Sequence, residues 1–448
     1  MRELIRQKIL DSLAAEPPGF VRRDVRVPRV RGKTVAVIGP RRAGKTTFLW
    51  QVLTGRLAAG MPRERLLYFN FEDERLAGMA AGDLGMVVEE YFRLHPEVRD
   101  REKAVFFLDE IQVVEGWERF ARRLLDTERV ELFVSGSSAR LLSREVATSM
   151  RGRAMEALVL PFSFREFLRY RGAEPAPSGR LTKAGRSGVE KALREYLVGG
   201  GYPEAQGIDQ RDQFGLLRGY VDTAMMRDVI ERHAVSHPVA LRWMVRQLLG
   251  NAGGFFSVHK FYADLRSQGI PVAKDTLHAY LTHLEDAFLA RTVPIATDSE
   301  RRRMANSRKA YPIDPGLIPV FDRSGKVNLG HALETCVALE LERRGAEIAY
   351  VRTARGFEVD FLAHYPDGKL ELIQVSADAD VAEVREREVR ALLEAASEYP
   401  RASLHLVVLS AEAVRGVPEN VRLHAAADWL LVPAPGEKEI ETGKEDKR

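Results

Sequence analysis

The sequence predicts an α/β chain built on a parallel sheet, and three observations carry that prediction. The apolar run Thr34-Val35-Ala36-Val37-Ile38 leads directly into a glycine-bearing loop, and Phe48, Leu49, Val52 and Leu53 then recur at helical spacing. Ala104-Val105-Phe106-Phe107-Leu108 is a second apolar run, ending in Asp109-Glu110. Val130-Glu131-Leu132-Phe133-Val134 is a third, ending in Ser135-Gly136-Ser137-Ser138. Runs that are apolar nearly throughout, rather than alternating, fit strands covered on both faces, as in a parallel sheet with helical crossovers.

The first loop, Gly39-Pro40-Arg41-Arg42-Ala43-Gly44-Lys45-Thr46, fits G-x-x-x-x-G-K-[ST], and with Thr47 it forms the candidate nucleotide-binding segment. Its glycines let backbone N–H groups turn inward around a polyphosphate, Lys45 reaches the outer phosphates, and the helix starting near Lys45 points its positive end at the anion. Thr46 supplies a hydroxyl for Mg²⁺. A glycine turn with a solvated lysine is the alternative, and the strand before and the helix after weigh against it.

Asp109 and Glu110 sit where a central strand delivers carboxylates to a sheet edge. Asp109 is the expected Mg²⁺ partner and Glu110 the expected base that polarises an attacking water. A further predicted strand, Leu66-Leu67-Tyr68-Phe69-Asn70, lies between the two motifs, followed by Phe71-Glu72-Asp73. That strand, and a Glu directly after the Asp, argue for the P-loop branch that hydrolyses ATP with an acidic base, against the kinase and GTPase branch. Ser137 and Ser138 have two readings: they orient water or the γ-phosphate, or they cap a helix starting at Ala139.

Residues 1 to 400 resemble the prokaryotic AAA-superfamily P-loop ATPases that carry a winged-helix segment and a C-terminal domain of unknown function. The resemblance rests on the loop at Gly39 to Thr46, Phe69-Asn70-Phe71-Glu72-Asp73, Leu108-Asp109-Glu110-Ile111-Gln112, Ser135-Gly136-Ser137-Ser138 and Arg151-Gly152-Arg153. It continues through Pro161-Phe162-Ser163-Phe164-Arg165-Glu166-Phe167, Gly199-Gly200-Gly201-Tyr202-Pro203-Glu204 and Phe357-Glu358-Val359-Asp360-Phe361. It implies an AAA-like nucleotide-binding domain with a parallel sheet, a helical lid, a winged-helix domain and a C-terminal α/β endonuclease-like domain, with ATP and Mg²⁺ as cofactors. In ring-forming ATPases an arginine from a neighbouring subunit stabilises charge on the transferred phosphoryl group. Homo-oligomerisation is then an expectation, with Arg151, Arg153 and Arg227 as candidates for that arginine. Salt bridges within the lid are the other reading of each.

Composition fits a multidomain protein of the cytoplasm. A chain of 448 residues exceeds one ordinary core. Its single cysteine, Cys336, excludes an internal disulfide and most thiolate metal sites. No apolar stretch reaches the length of a membrane span, and Met1 to Leu13 is amphipathic rather than a leader. The net charge of +4 permits nucleic acid without requiring it. Composition shifts divide the chain into a P-loop ATPase core at 1–160, a helical lid at 161–235, a winged helix at 236–325, an endonuclease-like domain at 326–432 and a disordered tail at 433–448. Within the lid, Ala173 to Ser187 is expected to be a loop, with helices over Val189 to Val198 and Gln210 to His233.

In the winged-helix reading, helices are expected over Val239 to Leu249, Val258 to Ser267 and Ala273 to Ala287, with wing strands Phe288 to Ile295 and Lys309 to Ile313. Lys274, Thr276 and His278 on the third helix, and Arg301, Arg302 and Arg303 in a flexible tip, are the candidate DNA contacts. A protein-docking module with a solvated basic loop is the alternative. In the last domain the family's endonuclease-like fold gathers an acid from a helix, an Asp from the second strand and a Glu-x-Lys pair from the third. Glu334 and Asp360 stand in matching places, but Leu372-Ile373-Gln374-Val375-Ser376 puts Gln and Ser where the acid and lysine belong, which argues against cleavage. Arg385 to Arg390 reads as a salt-bridged, solvated helix face, and the histidines, including His331, His364 and His405, fall in no metal-ligand spacing. The sequence therefore points to an ATP hydrolase acting as a switch or motor on duplex or branched DNA. A regulatory ATPase that docks protein partners is the alternative, and a metal-dependent nuclease is the least favoured reading.

Overall fold

The computed structural model describes residues 1–99, 101–136, 150, 152–176, 182–322, 328–412 and 414–433. Ser137, Ser138, the helix expected from Ala139, Arg151 and the tail beyond residue 433 lie outside the described residues. The chain divides into two compact units, Met1–Leu160 and Pro161–Pro435.

The first unit is a five-stranded, all-parallel sheet in the order β2-β3-β4-β1-β5. Its strands are β1 (Thr34–Ile38), β2 (Leu66–Asn70), β3 (Ala104–Asp109), β4 (Val130–Ser135) and β5 (Ala154–Leu158). Every residue of β1 and β3 is buried, as their unbroken apolar runs require. Helix α1 (Arg2–Ala14) buries Ile5 and Ile9, while α2 (Lys45–Ala58) buries Phe48, Leu49 and Leu53, a stripe at i, i+1 and i+5. Those α2 side chains join Val35, Val37, Val105, Phe107 and Phe133 in one core, where the Phe107 and Phe133 rings stack at 5.0 Å. Each such side chain contributes roughly 1.5–3 kcal/mol by burial. Helices α3 (Leu84–Leu94) and α4 (Trp117–Thr127) are amphipathic; Trp117, Phe120, Ala121 and Leu124 make the i, i+3, i+4, i+7 stripe of α4.

The second unit begins with α5 (Phe164–Tyr170), whose start is fixed by a reciprocal cap. The Ser163 hydroxyl accepts from the Glu166 N–H at 3.2 Å, and the Glu166 carboxylate accepts from the Ser163 N–H at 2.9 Å. Helix α6 runs over Lys183–Gly199, so the segment expected as loop up to Ser187 is helical in its last part. Gly185 and Gly188 weaken the local helix signal, but the Thr182 hydroxyl accepts from the Gly185 N–H at 3.1 Å and starts the helix early. Helix α7 (Gln210–Thr223) continues into a π-helical stretch, Ala224–Glu231.

Then come α8 (Pro238–Gly250), β6 (Phe255–Phe256), α9 (Val258–Ser267), α10 (Lys274–Asp286), β7 (Ala290–Val293), α11 (Glu300–Ala305) and β8 (Arg308–Pro312). The three strands form an antiparallel sheet in the order β6-β8-β7. The arginine run expected as a flexible tip is helical, because the Ser299 hydroxyl accepts from the Arg302 N–H at 3.3 Å and caps α11. After α12 (Leu317–Phe321) and α13 (Leu329–Arg343), a five-stranded sheet has the order β13-β12-β11-β10-β9. Here β9 (Glu347–Arg352), β10 (Glu358–His364) and β11 (Leu370–Ser376) are antiparallel, and β12 (Ser403–Val408) and β13 (Val421–Ala425) continue parallel from β11. Helix α14 (Ala382–Glu398) packs on this sheet, and α15 (Ala426–Leu431) closes the unit. The face of α14 read as solvated is not wholly so: Glu388 is buried and accepts from the Gln374 amide at 2.7 Å.

The glycine-rich turn after α6 closes on a buried carboxylate. Asp314 accepts from the Gly201 N–H at 2.7 Å and the Gly316 N–H at 2.9 Å, and a Cβ at Gly200, whose φ is +73°, would strike that carboxylate. Burial pushes the Asp314 carboxyl up to about 7, against the lowering effect of those two N–H groups and of Arg343. Its value in the folded state exceeds that in the unfolded state, so its stabilising contribution is complete below about pH 4 and is lost as the pH rises to about 7, a difference on the order of 4 kcal/mol. Urea midpoints measured across that range are expected to fall more steeply for the wild type than for Asp314→Asn, which lacks the titration.

Candidate nucleotide site

Three strand ends converge at the carboxyl edge of the first sheet. Gly39 leaves β1, Ser135 ends β4 on one side of it, and Asp109 ends β3 one strand further. Because β4 lies between β1 and β3, the loop and the acidic strand end face one another across a strand that contributes only a hydroxyl.

The loop follows its glycine pattern for a steric reason. Gly39 has φ of 150° and a Cβ there would run into the Val159 carbonyl, while Gly44 has φ of 95° and precedes α2 as its N-cap. Arg42 also takes positive φ, 63°. Lys45 is buried, and its ammonium donates to the loop's own carbonyls of Gly39 at 3.2 Å and Pro40 at 2.9 Å, inside the ring the loop makes. Ala43 is fully buried beneath the loop, and Thr47 is half-buried on the first turn of α2.

Asp109 is fully buried and surrounded by hydroxyls. Thr46 Oγ1 donates to its Oδ2 at 2.8 Å, Tyr68 OH donates to the same oxygen at 2.7 Å, and Ser135 Oγ donates to Oδ1. A buried carboxylate needs such donors, and three fix its orientation. The Tyr68 phenol is held well above its ordinary value by burial and by the Asp109 charge, so it stays a donor. Glu110 follows with φ of 53°, a left-handed turn that ends the strand. Its N–H donates to Ser135 Oγ at 3.0 Å, and Gln112 donates to its carboxylate. Burial raises the Glu110 carboxyl, while Lys45 and Gln112 oppose the rise. A raised carboxyl within the electrostatic reach of a fixed ammonium can accept a proton from water held near the loop.

The donor set fits a hard divalent cation. Thr46 Oγ1 and Asp109 Oδ2 are oxygen donors already in contact, and Mg²⁺ uses few protein ligands alongside phosphate oxygens. Thr46 and Asp109 are the residues that would hold it, and it would neutralise charge on the bound phosphates.

Tyr68, Ser135 and Arg23 also belong to this site, and of the three only Ser135 lies in a motif, Ser135-Gly136-Ser137-Ser138. Arg23 is buried and donates to the Ala43 carbonyl at 2.7 Å and to the Leu160 carbonyl, tying the back of the loop to the chain beyond β5. Gln51 of α2 clamps the Arg23 backbone from both sides, at 2.6 and 2.9 Å. The only sequence signal is a polar strand end for Ser135; Tyr68 and Arg23 look like an ordinary strand residue and an ordinary loop arginine.

Other candidates fall elsewhere. Arg153 pairs with Asp126 at the opposite, amino-terminal edge of the sheet, where its carbonyl accepts from the Thr34 N–H at 2.8 Å. Arg227 pairs with Glu231 at 3.5 Å in the π-helical stretch. In the second unit, Lys274 and His278 are exposed on one face of α10, with Lys274 Nζ 3.1 Å from His259 Nδ1. Thr276 is half-buried, and its two-residue offset turns it about 200° away from Lys274. On α11, Arg301 and Arg302 are exposed, whereas Arg303 lies 3.9 Å from Glu300 and 4.0 Å from Glu347. Glu334 and Asp360 do come together, around the ammonium of Lys309. Among the described residues no group of three or more His, Cys, Asp and Glu side chains is arranged to hold a metal.

Residues 31–168 match an AAA domain, and residues 190–325 match a domain of unknown function, DUF8612. With the parallel sheet and the loop on β1, the match over 31–168 defines the first unit as an AAA-type P-loop ATPase domain. The chain is 31% identical over 413 residues to the uncharacterized protein MJ1544 of Methanocaldococcus jannaschii, covering 91% of this chain and 89% of that protein, and it belongs to the same family. It is also 28% identical over 396 residues to an uncharacterized protein of Haemophilus influenzae, covering 88% and 93%. Among solved structures, the Walker-type ATPase PABY2304 of Pyrococcus abyssi is 15% identical, with 72% of this chain and 95% of that chain covered and a TM-score of 0.40. The ORC1 protein of Aeropyrum pernix, solved in complex with DNA, is 14% identical, with 71% and 90% covered and a TM-score of 0.25. No helix is long and apolar enough to cross a membrane among the described residues.

Removing the Tyr68 hydroxyl leaves the core ring in place and takes one hydrogen bond from Asp109. Tyr68→Phe is expected to weaken the apparent Mg²⁺ dependence of ATP hydrolysis by about 10- to 100-fold while the melting temperature changes little. A Mg²⁺ titration of turnover at saturating ATP checks it.

Proposed function

We propose that this chain is a Mg²⁺-dependent ATP hydrolase that works as a switch on DNA, duplex or branched, in the cytoplasm. The observation that carries the hydrolase part is the left-handed turn at Glu110, which sets a half-buried, raised carboxyl within the electrostatic reach of Lys45, directly after the hydroxyl-bound Asp109. In this reading Lys45 and the loop from Gly39 to Thr47 bind the phosphates, Thr46 and Asp109 hold Mg²⁺, and Glu110 takes the proton from the attacking water. Because the Glu110 carboxyl is raised, turnover falls on the acid side as that base protonates.

The DNA part rests on the second unit. The order α8, β6, α9, α10, β7, α11, β8, with three antiparallel strands, supports a winged-helix reading of residues 238–312. Its candidate contacts are Lys274 and His278 on α10 and Arg301 and Arg302 on α11. Thr276 and Arg303 are not part of that set, since one is turned from the helix's exposed face and the other is paired with acids. Nucleotide state would then change how the second unit engages DNA.

A second reading, a regulatory ATPase that docks a protein, is favoured by one feature. Met225, Met226, Arg242 and Arg246 line a hollow of about 390 Å³. Exposed Met226, Val239 and Trp243 belong to the same two segments, the π-helical stretch and α8.

Lys274, Arg301 and Arg302 changed together to Ala decide between the two. On the DNA reading, affinity for duplex or four-way-junction DNA falls, and the slope of log K against log salt shrinks by about 0.9 for each phosphate that the variant no longer neutralises. Unchanged DNA affinity and slope would move the reading to protein docking.

A further inference from the structure

The far end of α2 walls a hollow that belongs to the first unit alone. It encloses about 800 Å³, and its sides are residues 25–33 ahead of β1, the last turn of α2 with the chain that follows it, and the chain entering β2, β3 and β4. That volume falls within the about 300–1,000 Å³ of small-molecule sites. Helix α2 runs 14 residues from Lys45, so this end stands about 20 Å from the loop at Gly39 to Thr46.

Its floor is apolar and its rim is cationic. Val25, Val35 and Phe48 of the sheet core lie beneath it, half-buried Val52 and Met61 line it, and Val30 beside them is 47% exposed. Arg29, Arg31, Lys33, Arg56, Arg65 and Lys103 also line it, and among the described lining residues Glu131 is the one acid. Glu131 is already engaged, accepting from Arg56 at 2.6 Å with Lys103 at 3.5 Å, while Arg65 pairs with Glu102 at 2.7 Å. Among the described residues Arg29, Arg31 and Lys33 have no carboxylate partner, and Lys33 donates to the Gly152 carbonyl. A turn presents these three: the Lys33 N–H donates to the Val30 carbonyl at 3.2 Å, and Gly32 takes φ of +73°. The negative end of α2 is muted here, because the carbonyls of Gly55, Arg56 and Leu57 accept from the N–H groups of Ala59, Met61 and Gly60.

We propose that this hollow is a second ligand site, for a nucleoside polyphosphate whose base lies on the valine floor and whose phosphates meet Arg29, Arg31 and Lys33. Three cations without acids call for a ligand of several negative charges, and guanidinium forks suit phosphate oxygens. The apolar floor calls for a body that gains by leaving water, which an inorganic phosphate lacks. Walls on three sides favour a ligand of limited length over a continuous nucleic-acid strand, which would have to enter and leave by the same mouth. The site is independent of the loop at Gly39 to Thr46 and of the DNA reading of the second unit.

The test is the number of ATP molecules bound per full chain, by equilibrium dialysis with Mg²⁺, in four proteins: wild type, Lys45→Ala, Arg29→Ala/Arg31→Ala/Lys33→Ala, and the two sets combined. Two, one, one and none are expected. A single ATP that is lost with Lys45 and indifferent to the rim changes overturns the proposal. A single ATP kept by Lys45→Ala and lost with the rim changes upholds it, and counts instead against the loop. On Lys45→Ala, inorganic tripolyphosphate is expected to bind about 10-fold more weakly than ATP, because the floor adds nothing to it. Equal binding of the two, or binding of a single-stranded oligonucleotide through these three residues where ATP does not bind, overturns the proposal. The rim side chains lie at the surface, so the triple variant is expected to melt near wild type. If it does not fold, Arg29→Glu at its exposed position is expected to weaken ATP binding to Lys45→Ala by about 10-fold, and unchanged affinity overturns the proposal.

Discussion

The buried carboxylate of Asp109 is the constraint on which the nucleotide unit depends. A fully buried acid at a strand end is costly unless each oxygen is bonded. Its bonds reach Thr46 on the first turn of α2, Tyr68 on β2 and Ser135 on β4, so one side chain ties the carboxyl ends of three neighbouring strands to the start of the helix after the loop. Ser135 also receives the Glu110 N–H, and that fixes the turn by which Glu110 leaves the sheet. The same bonds that make the acid tolerable therefore position the groups that would face a nucleotide.

The second unit solves similar problems for a buried acid and for a buried base. Asp314 is buried and relies on two backbone N–H groups, and its carboxylate leaves no room for a side chain at Gly200. Lys309 is buried against three acids contributed by another sheet and another helix. Buried charge here marks the places where segments distant in sequence are held in register, and removing one partner alone would leave the other unpaired at a cost of about 3–5 kcal/mol.

Much of the candidate nucleotide site's geometry was legible because its signals are local. Gly39 to Thr46 needs particular residues at fixed offsets for a polyphosphate, and Asp109 and Glu110 announce themselves at the end of an apolar run. Tyr68 and Arg23 were not legible, since each acquires its role from a partner 41 or 20 residues away that only the folded sheet supplies. Arg301 to Arg303 read as a loop because charge is all the local sequence offers, while the cap at Ser299 makes the segment helical. Glu334 and Asp360 were placed together by resemblance, but the lysine between them came from β8, where nothing in a short strand of mixed residues distinguishes Lys309 from a solvated one. The Gln374 and Ser376 departures were visible; Lys309 between the acids was not.

Whether Glu110 is the base is decided by ATP binding and single-turnover hydrolysis, measured side by side for wild type and Glu110→Gln. The variant is expected to bind ATP as tightly as wild type while its hydrolysis falls about 10²- to 10⁴-fold, the reduction that follows removal of a general base. Equal hydrolysis by the two proteins would contradict this assignment, because the carboxyl that the turn after Asp109 places within the electrostatic reach of Lys45 would then have no part in the chemistry.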